Sequence, residues 1–241
     1  MAFVGSPPAA VDPLALEAPV LTKGTSLAEQ AYQYIKEQIV TLQFRPGSPL
    51  MENQLAKQLR ISRSPMREAL ARLEKEGHIE IVPWKGARVV EITPKYVTEL
   101  YQVRSSLEGT AARLATPRLE RAELEAVKRS MDELAPRVYA GDFNSFYAHE
   151  VLFHDMYVSR CGNDLLYRTL LGMRDHLARV RNFLNYLVTI PGHAEASFGE
   201  HQQALEAFLS GSAEAAEAAV RWHLDNVAGR IIAAFETNSP R

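Results

Sequence analysis

Hydrophobic residues in the first part of the chain recur at three- and four-residue intervals, the spacing of an amphipathic helix. The first such helix can be capped by Ser26, and a second, short one covers 51–59. A third helix runs from about 62 to 76. Clusters of β-forming residues over 78–82 and 87–92 then predict a two-stranded hairpin.

Beyond Thr93 the pattern is helical only, and short breaks at Pro and Gly residues separate the helices. The predicted helices cover about 94–115, 118–138, 142–160, 163–189, 194–210 and 212–236. Because the connections are short, successive helices are expected to pack as antiparallel neighbours. The sequence thus predicts a mostly α protein with a six-helix antiparallel bundle at its C-terminal end.

The chain of 241 residues is long enough for two domains, and its 46% hydrophobic content can form real cores. The predicted domains are 23–93 and 94–241, preceded by a Pro- and Ala-rich segment, 1–22, that is expected to be disordered. The single cysteine, Cys161, excludes a disulfide framework and a cysteine-based zinc ribbon. No apolar run approaches the ~20 residues needed to cross a bilayer, and no basic segment precedes a signal-like stretch. A cytoplasmic protein without membrane contact is expected.

Charge is distributed unevenly between the two predicted domains. Residues 23–93 contain 11 Lys and Arg against 8 Asp and Glu, whereas 94–241 contain 16 against 19. A mildly basic first domain suggests that only this part of the chain meets a polyanion. Chance variation in surface charge explains the same numbers equally well.

The third predicted helix begins with Ser62-Arg63-Ser64 and has Arg67 one turn later. Helix, short helix, helix and hairpin are the elements of a winged helix-turn-helix, whose recognition helix reads the major groove with its N-terminal end. One arginine can contact a guanine while the hydroxyls bind phosphate. In the hairpin, Gly86 permits close approach to DNA, flanked by Lys85 and Arg88. By themselves, such arginines more often form a solvated helix face.

The stretch ISRSPMREALARLEKEG and the hairpin positions Pro83, Gly86 and Val89 resemble the DNA-binding domain of the GntR family of bacterial regulators. The resemblance covers about 26–92. It implies operator contacts by Ser62, Arg63, Ser64, Arg67 and Gly86. At Asn53, in the second helix, some relatives have an arginine that contacts DNA, and this contact is therefore in doubt.

In the C-terminal region, four polar residues occupy positions where a helical bundle can bring them together. Glu150 and His154 lie four residues apart, and His201 and His223 belong to the last two predicted helices. Three imidazoles and a carboxylate can bind a divalent metal, but spacing alone favours a core or surface role for each histidine. His149 lies five residues before His154, about 140° around the helix, so these two cannot chelate one ion together. His149 is expected to face solvent, and a metalloprotease is disfavoured.

The segments YQVRSSLEGTAARLA, EVLFH and EHQQALEAFLSGSAEAAEAAVRWHL resemble the FCD domain, the ligand-binding domain of the FadR-type branch of the GntR family. Six helices match its smaller, VanR-like subgroup. The resemblance covers about 94–236 and implies one divalent ion of the Zn, Ni or Mn type. Its ligands would be Glu150, His154, His201 and His223, with Glu150 standing where the family usually has Asp.

The same resemblance implies a small carboxylic acid as effector, bound at an open metal position. Arg104, in an Arg-x-x-x-Glu pattern with Glu108, is the expected partner of that acid. Arg174 and Arg181 lie seven residues apart and are weaker candidates, for which a solvated face is the better interpretation.

These residues predict a regulator that binds double-stranded operator DNA as a homodimer and is released by an organic acid, as a repressor would be. Two alternatives remain open at this point. One is a metal-responsive regulator without an organic effector, and the other is a metalloenzyme fused to a DNA-binding domain.

Overall fold

The computed structural model describes residues 24–84, 86–186 and 190–238, so the predicted segment 1–22 and Lys85 lie outside the described residues. The chain forms two compact units. One contains residues 24–92 together with 175–186, and the other contains 93–174 together with 190–238.

The first unit has the elements of a winged helix-turn-helix, as predicted. Its helices are α1 (Leu27–Val40), α2 (Glu52–Gln58) and α3 (Arg63–Lys75), and its strands are β1 (Pro49–Leu50), β2 (Ile79–Val82) and β3 (Gly86–Val89). Ser26 caps α1 by accepting a hydrogen bond from the backbone N–H of Glu29.

The sheet has three strands rather than the predicted two. Its order is β1-β3-β2 with antiparallel pairing, so that Leu50 lies opposite Ala87 and Ile79 opposite Val89. The additional strand, β1, lies between α1 and α2, where the sequence predicted no regular element. Two residues are too few to show the alternation by which a strand is identified in a sequence.

The hydrophobic core of this unit lies between α1, α3 and the sheet. Ile35, Ile39, Met66, Leu73 and Val89 are all completely buried. They alternate at helical or strand spacing in the sequence, so burial of one face fixes the orientation of each element. The first turn of α3 is left on the surface.

Residues 175–186, the C-terminal half of α7 (Asp164–Tyr186), complete this unit. Arg179 is fully buried and donates a hydrogen bond to the backbone carbonyl of Val90, and Asn182 donates to that of Val40 at 2.8 Å. The ring of His176 stacks on that of His78 with 4.4 Å between centroids. The domain boundary predicted at Thr93 does not indicate that this later segment of the chain packs with the first unit.

The second unit is helical, as predicted. Besides the first half of α7, its helices are α4 (Pro94–Ala115), α5 (Arg121–Tyr139), α6 (Phe143–Val158), α8 (His193–Leu209) and α9 (Ala213–Asn238), with a short 3₁₀ turn at Thr116–Arg118. None of the helices in the described ranges is long and apolar enough to cross a membrane.

Two pairs of successive helices pack together as expected, α5 with α6 and α8 with α9, but other contacts of this unit do not follow the order of the chain. The longest contact joins the first helix, α4, to the last, α9, while α8 packs on α9 and α5 on α8. Small residues on α4 allow this approach: Ala111 and Ala112 are buried, and a Cβ at Gly109 would lie 2.7 Å from the Arg221 side chain of α9. Close contact of small residues therefore decides the pairing of α4 and α9.

Candidate metal centre and nucleic-acid interface

The first turn of α3 is exposed and rich in hydrogen-bond donors. Ser62 is the N-terminal cap residue, yet its side chain makes no capping bond. Arg63 and Ser64 follow on the surface, and in the described part of the chain Arg63 forms no ion pair. The turn before them places Arg60 at a φ of 56°, in the left-handed region, and this separates α2 from α3. Unpaired donors at a helix start suit an anionic ligand.

Arg67, one turn further along α3, is also exposed but holds a partner. Its Nε lies 2.9 Å from Oε1 of Glu52 on α2, and 67% of its side chain is accessible. Exposed ion pairs are worth only about 0–1 kcal/mol. A phosphate group can therefore replace Glu52 at little cost in free energy.

The turn between β2 and β3 projects a residue that the sequence interpretation missed. Trp84 is fully exposed and has a φ of 66°, and Gly86 beside it has a φ of 84° with no other atom near the place of a Cβ. Arg88 pairs with Glu80 on the neighbouring strand. The sequence signal that could have identified this residue is a tryptophan in a turn flanked by Pro and Gly, because such a side chain has no hydrophobic core to pack against.

His154 on α6, His201 on α8 and His223 on α9 are buried and meet in the second unit. One ligand atom from each lies within 4.8 Å of the others. We call these three residues the histidine cluster. Nε2 of His201 is 3.1 Å from Nε2 of His223, and Nε2 of His154 is buried without a hydrogen-bond partner. Three imidazoles with nitrogens directed at one point fit a divalent transition-metal ion.

Two members of the histidine cluster contact a carboxylate through their Nδ1 atoms. Nδ1 of His154 is 2.6 Å from Oε2 of Glu108, whose other oxygen is 2.6 Å from Nε of Arg104. The hydroxyl of Tyr157 also donates to Glu108. Nδ1 of His223 is 2.8 Å from Oε2 of Glu200. The sequence interpretation missed both carboxylate contacts, since each joins residues on different helices.

Burial keeps His201 and His223 in the neutral form that metal ligation needs. It lowers the pKa of His223 to about 4 and that of His201 well below its usual range, in both cases with a contribution from the neighbouring positive charges. Burial alone would raise the pKa of Glu108, but Arg104 and His154 more than offset this and hold it well below the ordinary value. Glu108 is therefore ionised at pH 7.

Glu150 and His149 behave differently from what the sequence predicts. Glu150 does not belong to the group of atoms within 4.8 Å, although its Oε2 is buried without a partner. His149 does not face solvent: it is 9% exposed, its ring centroid lies 5.7 Å from that of His201, and its Nε2 has no partner. The expectation failed because α8 covers this face of α6 and places the rings of Phe198 and His201 against that of His149.

The three arginines predicted to bind an effector lie in different surroundings. Arg104 is buried beside the histidine cluster and already paired with Glu108. Arg174 is on the surface, 2.5 Å from Asp155, and its side chain is 54% exposed. Arg181 falls in the part of α7 that belongs to the first unit. Of the three, the structure brings only Arg104 to the cluster.

Comparison with known proteins places both units in one family. A model described as bacterial regulatory proteins, gntR family, matches residues 27–89, and the FCD domain model matches 99–226. The chain belongs to the GntR family and carries an FCD domain. GntR-family proteins with this domain are transcriptional regulators that bind DNA, rather than enzymes.

Relatives of this GntR-family regulator carry the same description. The uncharacterized HTH-type transcriptional regulator YdhC of Bacillus subtilis is 30% identical over 86% of this chain and 91% of its own. The HTH-type transcriptional repressor RspR of Escherichia coli is 23% identical over 88% of this chain and 91% of its own. Among solved structures, E. coli McbR/YncC shares the fold with a TM-score of 0.63, 22% identity, and coverage of 90% of this chain and 100% of its own.

Proposed function

We propose that this regulator is a repressor whose affinity for operator DNA depends on a metal ion and a small carboxylic acid bound in the FCD domain. The convergence of three buried imidazoles from α6, α8 and α9 within 4.8 Å carries the proposal. A metal held by three histidines keeps coordination positions open. When bound, the ion would supply a hard, positively charged point at which a carboxylate oxygen can ligate.

The charges around the cluster support a role of the metal in binding the acid. Arg104 is neutralised by Glu108, and Arg230 by Glu200, which lies 2.6 Å away. Glu150 adds a further carboxylate whose charge acts on Arg104. Without a cation these side chains give no surplus of positive charge, so an organic anion would gain little on entering. We therefore propose that the acid binds only together with the metal.

The DNA-binding surface proposed here comprises the first turn of α3 and the turn between β2 and β3. Ser62, Arg63 and Ser64 would contact the major groove and its phosphates, with Arg67 released from Glu52 to a phosphate. Lys85 and Gly86 would lie beside the adjacent backbone. One recognition helix makes few base contacts, so a homodimer on a pseudo-palindromic site is proposed.

Mobility-shift titration tests the proposal, with a duplex selected by the chain itself from a randomised library. The metal-free protein, the Zn²⁺-loaded protein, and the Zn²⁺-loaded protein with acetate or succinate are compared at fixed salt. The proposal predicts that an acid weakens DNA binding only when Zn²⁺ is present. A change with Zn²⁺ that no acid modifies would favour a metal-responsive regulator without an organic effector.

A further inference from the structure

The histidine cluster is supported by two similar chains of hydrogen-bonded side chains, one that ends at His154 and one that ends at His223. The first runs from Arg104 through Glu108 to His154, with 2.6 Å between Nε of Arg104 and Oε1 of Glu108 and 2.6 Å between Oε2 of Glu108 and Nδ1 of His154. All three side chains are at least nine-tenths buried. The hydroxyl of Tyr157 donates to the same carboxylate oxygen.

The second chain runs from Arg230 through Glu200 to His223. Arg230 donates to both oxygens of Glu200, at 2.6 and 2.9 Å, and Oε2 of Glu200 lies 2.8 Å from Nδ1 of His223. Ser197 and Asn226 add hydrogen bonds to Arg230 and Glu200. Each carboxylate thus has a guanidinium on one side and an imidazole on the other.

An ionised carboxylate only accepts hydrogen bonds, so it fixes the tautomer of the imidazole that it contacts. Glu108 and Glu200 are each ion-paired with a guanidinium at 2.6 Å, and these pairs keep both side chains in the carboxylate form. His154 and His223 must therefore carry their proton on Nδ1. Their Nε2 lone pairs are then directed into the cluster, where Nε2 of His154 has no other partner.

His201 has no such support. Its Nδ1 is buried without a partner, and its ring is held by stacking on Phe153, with 4.4 Å between centroids. Its Nε2 faces Nε2 of His223 at 3.1 Å. Because Nε2 of His223 carries a lone pair, Nε2 of His201 must carry a proton and donate it to His223 in the metal-free chain. To offer a lone pair to a metal there, it has to move its proton to Nδ1.

We propose that Glu108 and Glu200 are positioning residues that preset two metal ligands, His154 and His223, whereas His201 changes tautomer when the metal binds. Arg104 and Arg230 hold the two carboxylates, so Arg104 acts toward the metal through Glu108 rather than as the receptor of an organic anion. The inference rests on the proposed metal site. Carboxylates in this position commonly contribute 10–100-fold to metal affinity.

Long-range ¹H–¹⁵N NMR of the full-length chain labelled at histidine tests the tautomers directly. In the metal-free protein we expect Nδ1–H on His154 and His223 and Nε2–H on His201, assigned by single His→Gln variants. Addition of Zn²⁺ should change the tautomer of His201 alone. Nε2–H on His154 or His223 before metal addition would overturn the proposal, whether or not the carboxylate variants fold.

Competition with a chromophoric chelator measures the second consequence. Glu108→Gln and Glu200→Gln should each lower Zn²⁺ affinity by about 10–100-fold. The matched controls Glu99→Gln on α4 and Glu206→Gln on α8, both on exposed glutamates, should leave it unchanged. Arg104→Met should also weaken Zn²⁺ binding in the absence of any acid. Unchanged Zn²⁺ affinity with lost acetate binding would instead make Arg104 an anion receptor.

The outcomes separate this inference from the proposed function on which it depends. If the wild-type chain binds no stoichiometric Zn²⁺, the metal site itself is refuted. If it binds Zn²⁺ and both glutamine variants bind it equally well, the site stands and the positioning role is wrong. Glu200→Asp, which keeps the charge, should restore part of the affinity lost in Glu200→Gln.

Discussion

The first turn of α3 and the histidine cluster are both groups of polar side chains, but they are built in opposite ways. Ser62, Arg63 and Ser64 are consecutive and exposed, and Arg63 has no ion pair within the described residues. His154, His201 and His223 are buried and come from three helices, and two of them, His154 and His223, are hydrogen-bonded to carboxylates. One group is prepared for a large ligand that arrives from solvent, and the other for a small one that is enclosed.

The difference shows what each ligand requires of the fold. A DNA duplex brings its own charge and hydration, so the protein needs only mobile donors on a rigid helix end. A buried metal ion has to give up most of its hydration shell, so its ligands must be neutral, oriented and held before it arrives. Substitutions in the first group should therefore change binding without changing stability, whereas substitutions in the second should change both.

The largest effect is expected from Arg63→Ala on operator binding. A bidentate base contact contributes about 1–3 kcal/mol, and a dimer would lose two of them, so affinity should fall at least about 30-fold. The melting temperature should remain unchanged, because the side chain is exposed. Mobility-shift titration at matched salt, with Arg168→Ala in the FCD domain as control, measures the loss; equal affinities for the two variants would remove Arg63 from the interface.

The next largest effect is expected for the rise in melting temperature that metal binding causes. A ligand present at about 1,000 times its Kd stabilises a protein by about 4 kcal/mol, which for a chain of this size is a rise of about 10 °C in melting temperature. His201→Ala should abolish most of this Zn²⁺-induced rise. His149→Ala should retain it, although removal of a buried ring should lower the melting temperature without metal.

Differential scanning fluorimetry of wild type, His149→Ala and His201→Ala, each with EDTA or Zn²⁺, makes this comparison. If the two histidine variants respond alike to Zn²⁺, the cluster is a packing feature. Glu150→Asp is expected to keep the Zn²⁺ effect, because it introduces the residue usual in the family at a position outside the three-histidine group.

A smaller effect is expected from pH on the metal-free chain. Burial lowers the pKa of His149, His193 and His223 to about 4, against about 6.5 in the unfolded chain. Between these values the unfolded chain takes up protons that the folded chain does not. Stability is therefore complete above pH 6.5 and falls as the pH decreases toward 4, by up to about 1.4 kcal/mol per pH unit for each histidine.

Thermal melts in EDTA from pH 7.5 to about 5.5 measure this slope above the range in which most carboxylates titrate. His193→Gln should make the slope shallower, because it removes one of the contributing groups. A melting temperature that is constant over this range would contradict the buried, neutral state of the histidines.

The smallest effect is expected at Trp84. A fully exposed indole with positive φ adds no core contact to the folded state, so its benefit should appear on DNA, where apolar side chains enter the minor groove. Trp84→Ala should weaken DNA binding by about 1 kcal/mol, or roughly fivefold. The chain has two tryptophans, so Trp222→Phe leaves Trp84 as the sole tryptophan, which can be excited selectively at about 295 nm or above. Unaltered emission of that variant on DNA addition would exclude contact.

Local patterns made the DNA-binding region largely predictable from sequence. The helical spacing before Gly77, the serine and arginine residues at 62–67, and the turn at Pro83–Gly86 each involve neighbouring residues, and the structure has them where the sequence predicts them. The strand β1 was missed because two residues show no period. Trp84 was missed because exposure cannot be read from a pattern of neighbours.

For the FCD domain, the sequence determined the helices and named His154, His201 and His223, because spacing and family resemblance depend on residue order alone. Only the tertiary structure decided that Glu108 and Glu200 contact two of these histidines through Nδ1. It also decided that His149 is buried beside the third and that Arg104 is already ion-paired with Glu108. Each of these contacts joins different helices or depends on what covers a helix face. The packing of α4 on α9 and of α6 on α8 is set by close fit between surfaces, which no periodicity within a single helix records.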